Sequence, residues 1–364
     1  MFLSGYYSFM SFSIGIVGLP NVGKSTIFKT LTRKEVNIAP RPFTTIDPNI
    51  GKVALLDKRL ENLSKIIGPE KTTPTTIEFV DIAGLIKDAH KGEGLGNQFL
   101  AQIKNCDAVL QVVRVFDKPE IENVLGEINP EKEIEVINIE LLMKDLETLE
   151  NAISKIEKKG NVHPVKSHEV GAKQFNRVKK SKILKKIKDQ INQGKLVSKI
   201  DLIDEEKAEI KEYQLLTTKP IIYILNTNGK TDFPSTLFDH LLINLKEEEE
   251  LLELSEEDKK GLGLKSQLDK VILSCYNALN LITFFTVAGG KEVKAWTLTN
   301  GLGIKEAGGI VHSDFMNKFI RAEVVNCNKL VSIESWSKAK EQGLIKTIGK
   351  DYVVKDGDVI EFKI

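Results

Sequence analysis

The segment Gly18-Leu19-Pro20-Asn21-Val22-Gly23-Lys24-Ser25 constrains this chain more than any other. It follows the apolar run Ser13-Ile14-Gly15-Ile16-Val17 and opens into Thr26-Ile27-Phe28-Lys29-Thr30-Leu31, which reads as a helix. A strand, a glycine-bearing loop and a helix in that order form a phosphate cradle. Glycine lets backbone N–H groups turn inward around phosphate oxygens, and the helix N-terminus adds partial positive charge. Lys24 is placed to reach the β- and γ-phosphates, and the Ser25 hydroxyl to bind Mg²⁺.

A second signal follows. Phe79-Val80-Asp81-Ile82-Ala83-Gly84 is an apolar strand ending in Asp-x-x-Gly. Asp81 at a strand end beside the loop can hold Mg²⁺ through water. Gly84 lets its backbone N–H approach the γ-phosphate. Between the two motifs lies Arg41-Pro42-Phe43-Thr44-Thr45-Ile46-Asp47-Pro48-Asn49. A Thr on a loop there can close over the γ-phosphate and ligate Mg²⁺; an ordinary Pro-bounded turn is the alternative.

The apolar runs Ile14–Val17, Ile77–Ile82 and Ala108–Val115, separated by helical stretches, predict a doubly wound, mainly parallel α/β sheet. From about 131 to 217 the apolar spacing becomes three and four, through Ile139–Ile156 and Phe175–Ile191. Two long helices packed as an antiparallel hairpin fit, with their break between Gly160 and His168. Pro220–Leu225 then reads as a returning strand, so the helical region is an insertion. From about Asn280 the chain is strand-rich, at Ile282–Val287, Ala322–Val325 and Tyr352–Ile364, with Asp356-Gly357 as a hairpin signal. The expected domains are 13–130 with 218–279, an inserted arm at 131–217, and a small α+β domain at 280–364.

Over 364 residues, 52 Lys and Arg nearly cancel 51 Asp and Glu, so net charge gives no reason to expect nucleic acid; a basic surface must be local. Cys106, Cys275 and Cys327 show neither metal spacing nor a disulfide framework, which fits a reducing cytoplasm. No run approaches the roughly 20 apolar residues of a membrane helix. Residues Met1 to Met10 lack the basic flank of a signal peptide, and Met10 is a candidate start.

Two departures carry information. The residue after Asp-x-x-Gly is commonly a Gln that orients the attacking water; here it is Leu85, which has no hydrogen-bonding group. Lys24, Gly84 and the Leu85 position are therefore the candidate catalytic residues, and a bound cation, a backbone group or another side chain must place the water. Asn21 matches an Asn that helps bind K⁺ in some proteins of this class, so K⁺ is a candidate cofactor beside Mg²⁺. The base-reading strand ends Asn226-Thr227-Asn228-Gly229. The guanine-accepting Asp of Asn-Lys-x-Asp is replaced by Gly229, and the usual Ser-Ala-Lys loop by Asn244-Leu245-Lys246. Charge-assisted bonds contribute roughly 1.5–3 kcal/mol each, so guanine preference should fall on the order of tenfold to a hundredfold. Asn226 can pair with an adenine edge, as Asn does in DNA readout; Asn226 and Thr227 are the base-contact candidates. A degenerate but guanine-selective site is the alternative.

Together these residues resemble the YchF / Obg-like ATPase family over nearly the whole chain. The P-loop, Pro42–Asn49, Asp81-Ile82-Ala83-Gly84-Leu85 and Lys91-Gly92-Glu93-Gly94-Leu95-Gly96-Asn97 are close to its signatures. So are Ala295-Trp296-Thr297, His312-Ser313-Asp314-Phe315 and Arg321-Ala322-Glu323-Val324, which look like a TGS domain, a β-grasp module. The resemblance implies a monomeric, cytoplasmic, ribosome-associated ATPase, Mg²⁺-dependent and able to bind GTP. It implies large-subunit and ribosomal RNA contact through the helical arm and TGS domain. It maps nucleotide ligands onto Asn21, Val22, Gly23, Lys24, Ser25 and Thr26, magnesium ligands onto Ser25 and Thr45, and the base contact onto Asn226. The family usually has an acidic residue at the Gly229 position. Some members carry a His matching Asn123, so a His-based mechanism is not expected here.

Other residues remain open. His90 could position water or be an exposed loop residue. Lys179, Lys180, Lys182, Lys185, Lys186 and Lys188 could meet RNA phosphates or form a solvated helix face. Glu247–Glu250 reads as a solvated face. Trp296 and Trp336 read as small-domain packing residues, with base stacking the alternative. The leading reading is a slow ATP-driven switch in translation or stress response. The alternatives are a GTP-specific ribosome-assembly GTPase, and an RNA- or protein-binding module with nucleotide as structural ligand.

Overall fold

The computed structural model describes residues 12–33, 49–82, 96–160, 168–229 and 239–363. The strands are β1 (Ser13–Val17), β2 (Ile50–Ala54), β3 (Lys71–Thr73), β4 (Thr76–Asp81), β5 (Ala108–Arg114), β6 (Ile221–Asn226) and β7 (His240–Ile243). They continue as β8 (Leu281–Ala288), β9 (Glu292–Thr299), β10 (Arg321–Asn326), β11 (Lys346–Ile348) and β12 (Asp358–Lys363). The helices used below are α1 (Lys24–Arg33), α2 (Lys58–Ile67), α3 (Gly96–Asn105), α4 (Pro130–Gly160) and α5 (His168–Asn192). The first sheet runs β2-β4-β1-β5-β6-β7. Its β1–β5, β5–β6 and β6–β7 pairings are all parallel. Every residue of β5 is buried, as expected of a central parallel strand covered on both faces. This is the doubly wound α/β fold.

The chain divides into two compact units. One takes in Ile14–Phe28 and Val80–Glu247. Within it α4 and α5 pack through Leu142, Leu149, Ala152 and Ile153 against Ile183, Leu184, Ile187 and Ile191. Burying one such side chain contributes about 1.5–3 kcal/mol, so tertiary packing rather than local propensity holds this hairpin. Glu157 pairs with Lys185 at 2.9 Å and Glu150 with Lys188 at 2.7 Å, which makes the two helices antiparallel. The buried Asp145 carboxylate of α4 anchors the return toward β6. It accepts from Leu216 N (2.6 Å), Thr217 N (2.8 Å) and Thr217 Oγ1 (2.7 Å).

The other unit takes in Lys29–Phe79 and Glu248–Ile364. Its sheet runs β11-β10-β12-β8-β9-β3. β12 lies parallel to β8 and antiparallel to β10, while β8 and β9 form an antiparallel hairpin. The helix Ile304–Val311 sets Ile304 and Ala307 on Phe284, Leu298 and Ile360. A mixed sheet packed on this helix is a β-grasp.

Two local expectations change, and one pairing is added. Asp356-Gly357 is not a hairpin turn, because β12 begins at Asp358 and pairs with β8 and β10. The Asp356 carboxylate instead accepts from Thr283 N (2.9 Å) and Arg59 Nη1 (2.6 Å). Within Glu247–Glu250, Glu248 is buried rather than solvated, accepting from Ser266 Oγ and Gln267 N, both at 2.7 Å. The added pairing has no signal in the sequence. β3 adds to β9 in parallel, with Thr73 Oγ1 donating to Glu292 at 2.8 Å, and Leu60 and Leu63 of α2 join the β-grasp core.

Candidate nucleotide site

The loop Gly18–Ser25 leaves the buried end of β1 and enters α1, whose first turn carries no acidic residue. Its amide end is thus unopposed for an anion. Gly23 takes φ 111°, and a Cβ there would stand 2.7 Å from Asn226 Nδ2 and 2.9 Å from Leu245 Cδ1. Only glycine lets the two loops approach so closely.

Asn226, at the end of β6, makes that approach specific. Its Nδ2 donates to Val22 O at 2.9 Å, and its Oδ1 accepts from Leu245 N at 3.2 Å. One buried amide therefore ties the phosphate loop, the β6 end and the Asn244–Lys246 loop together. Thr227 beside it donates its N–H to Ile243 O (2.8 Å) and accepts from Gly229 N on its hydroxyl (3.1 Å).

Lys24 Nζ donates to Leu19 O at 2.7 Å, folding the ammonium over the loop. Burial lowers its pKa, opposed by the charges of Asp81 and Glu133. The Ser25 hydroxyl donates to Asp81 Oδ2 at 3.3 Å. A hydroxyl beside a carboxylate is a hard-oxygen donor pair, and it fits Mg²⁺. Among the described residues no group of three His, Cys, Asp or Glu side chains could hold a metal by itself. Substrate phosphates would have to complete the shell.

The structure thus brings Asn21, Val22, Gly23, Lys24, Ser25 and Thr26 together with Asp81, Asn226 and Thr227. Thr45, Gly84, Leu85 and His90 lie outside the described residues. Asn123 spends its amide within its own turn, donating to Glu127 O (2.7 Å) and accepting from Leu125 N (3.0 Å).

Two residues that sequence reasoning missed adjoin the site. Arg114 ends β5 at 3% exposure, and Glu133 of α4 is buried to 2%. Glu133 Oε2 accepts from Arg114 N at 3.0 Å. Burial pushes the Glu133 carboxyl up to about 7, against the pull of the Arg114 N–H and of the Arg114 and Lys24 charges. The only sequence signal for the pair was a charge closing the buried run Val112-Val113-Arg114.

The basic stretch of α5 is largely neutralised. Lys179 pairs with Glu205, Lys180 with Glu209 and Glu212, and Lys186 with Glu206, in addition to the Lys185 and Lys188 pairs with α4. This favours the solvated-face alternative over a dedicated phosphate-binding helix. Among the described residues no helix is long and apolar enough to cross a membrane.

The fold and site have clear counterparts. A family model described as a 50S ribosome-binding GTPase matches residues 13–144, and the YchF C-terminal GTPase model, described as a protein of unknown function (DUF933), matches residues 281–364. The chain is 42% identical to the ribosome-binding ATPase YchF of Escherichia coli O157:H7, covering 97% of this chain and 99% of that one. It is 40% identical to the protein of the same name from Bacillus subtilis, with the same coverage. The solved structure of the Schizosaccharomyces pombe YchF GTPase superposes with a TM-score of 0.88 at 33% identity, covering 97% of this chain and 98% of that one. A phosphate loop, its Asn226 clamp and a β-grasp domain, matched end to end in this way, mean that the chain belongs to the YchF family.

Proposed function

We propose that this chain is a ribosome-associated P-loop NTPase that hydrolyses ATP in preference to GTP, using Mg²⁺, and acts as a slow nucleotide switch. The observation that carries the reading is the convergence of Lys24, the Ser25–Asp81 pair and Asn226 on one loop. Lys24 and the α1 N-terminus take the phosphates. Ser25, and Asp81 through water, would hold Mg²⁺, which would neutralise phosphate charge when bound, with Thr45 as a further ligand. Lys24, Gly84 and the Leu85 position carry catalysis. Gly229 offers no carboxylate to guanine, which supports ATP; Asn226 and Thr227 make the base contact.

Asn21 supports K⁺ as a second ion. The relatives' printed name supports the ribosome as partner, reached through the helical arm (131–217) and the TGS domain (280–364), with the nucleotide domain at 13–130 and 218–279. The reading is of a cytoplasmic monomer. Slow turnover follows from Leu85, which cannot orient water.

The test is a comparison of ATP and GTP affinity and turnover with Mg²⁺, in KCl and in NaCl, for the full chain and Lys24→Ala. ATP should bind at least as tightly as GTP, K⁺ should speed turnover, and Lys24→Ala should abolish it. GTP binding more than about tenfold tighter than ATP would refute the base assignment. Equal rates in the two salts would remove K⁺.

A further inference from the structure

Arg114 is buried, yet among the described residues its guanidinium hydrogen bonds to backbone carbonyls and to no side-chain carboxylate. Nε donates to Phe116 O (3.1 Å), Nη1 to Ile121 O (3.0 Å) and Glu122 O (3.1 Å), and Nη2 to Lys118 O (3.2 Å). The guanidinium carbon lies 4.5 Å from the centre of the Phe116 ring. One cation therefore fixes the path of residues 116–122 by four backbone carbonyls. A lysine has three donors on a single nitrogen and cannot reproduce this fork.

The segment so held reaches the phosphate loop. Glu122 O, already bonded to Arg114, also accepts from Asn21 Nδ2 at 3.4 Å. On its other side Arg114 is seated by the arm, because Glu133, in the first turn of α4, accepts the backbone N–H of Arg114. A buried cation is costly unless charge and hydrogen bonds compensate it, and among the described residues the guanidinium's hydrogen bonds go to carbonyls of this segment.

We propose that Arg114 is a positioning residue for the phosphate site: it holds residues 116–122 against Asn21, and Glu133 seats it from the root of the helical arm. The proposal rests on the NTPase reading and deepens it, giving the arm a physical route to the nucleotide.

The test is a double-variant cycle on the full chain. Wild type, Arg114→Lys, Asn21→Gly and the double variant are compared for kcat and KM with Mg·ATP, together with the thermal midpoint. Asn21 sits at φ 63°, a conformation glycine adopts without strain, so Asn21→Gly removes the link to Glu122 O without straining the loop, and running the cycle in both KCl and NaCl separates that loss from the loss of a K⁺ ligand. Arg114→Lys should slow turnover about tenfold, the effect of one lost charge-assisted bond, with KM changed by less than about threefold. The double variant should be no slower than the slower single. Wild-type turnover with Arg114→Lys, or rate losses that multiply, would overturn the proposal, as would a KM that moves in step with the melting point.

If Arg114→Lys does not fold, Glu133→Ala, which removes the acceptor of the Arg114 backbone N–H, takes its place in the cycle with the same expectations. If the wild type binds nucleotide without turning over, the hydrolysis reading fails. The same cycle read in the release rate of a fluorescent ADP then decides the positioning role by itself.

Discussion

Replacing Glu133 with Gln isolates the cost of ionising a carboxyl at the root of the arm. The side chain is 2% exposed, and its pKa stands at about 7 in the folded chain against 4.5 for the ordinary group. Between those values the folded protein keeps a proton that the unfolded chain has lost. The contribution of this group to stability is therefore full below about pH 4.5 and declines as pH rises through about 7. Above that, folding must carry a buried carboxylate. At about 1.4 kcal/mol for each pH unit, the upper limit is about 3 kcal/mol, and about 2 kcal/mol is a fair expectation where water reaches the site in part.

Gln cannot titrate, so the variant lacks this decline. Its Nε2 brings its own hydrogen-bonding cost, but that offset is constant with pH and cancels in the slope. The assay is urea unfolding at several values between about pH 5 and about pH 8, followed by far-UV circular dichroism. The signal must be helical, because Trp296 and Trp336, the only tryptophans, lie in the other compact unit and would report the wrong transition. The stability of Glu133→Gln relative to wild type should grow by about 2–3 kcal/mol from the acid to the alkaline end. Parallel curves, or a gap that widens toward acid, would refute the claim that burial governs this carboxyl.

Asn226→Ala should lower nucleotide affinity at least about tenfold and reduce the melting temperature, since it leaves Val22 O and Leu245 N without their partner at about 1–3 kcal/mol each; titration with a fluorescent nucleotide checks it, and unchanged affinity would exclude the clamp. Asp145→Ala strands three donors at Leu216 and Thr217 and should cost about 3 kcal/mol in urea unfolding, with Asp145→Asn milder; equal losses in the two variants would mean that packing, not the carboxylate, matters there.

The phosphate loop was legible because its chemistry is local. Glycines, Lys24 and Ser25 lie within eight consecutive residues, and the flanking strand and helix follow from periodicity alone. β5 and β6 were legible for the same reason, as short runs of buried β-branched residues. β9 was not read as a strand, although Ala295-Trp296-Thr297 lies within it. Burial alternates from Glu292 to Thr297, but Thr297 is a buried polar position and Trp296 a half-buried apolar one, so the apolar pattern does not follow the burial. β3 is three polar residues whose only reason to be a strand is the edge of β9. Asp356-Gly357 is a sound hairpin signal that tertiary partners override, because Arg59 and Thr283 N claim the carboxylate. Arg114 and Glu133 are 19 residues apart, and nothing in either segment names the other.

The geometry at Asn226 and Gly229 bears on base choice more directly than their identities do. Space for a side chain exists at Gly229, where an added Cβ would meet nothing within 4 Å. The backbone is the obstacle: φ is 84°, and its N–H is turned onto the Thr227 hydroxyl. An L side chain there costs roughly 1–2 kcal/mol. The missing acid is thus built into the turn, and an Asp placed at this position would first have to reshape it. In the proposed reading selection falls to Asn226, whose amide already serves Val22 O and Leu245 N. It has one further hydrogen and one further lone pair to offer a base edge, and it can offer them in register only while the clamp holds. Under the proposed base contact, base recognition and closure of the phosphate loop are coupled on one side chain. Under the proposed ATP preference, an altered Asn226 should disturb the grip on phosphate along with the choice of purine, rather than exchanging one base for another.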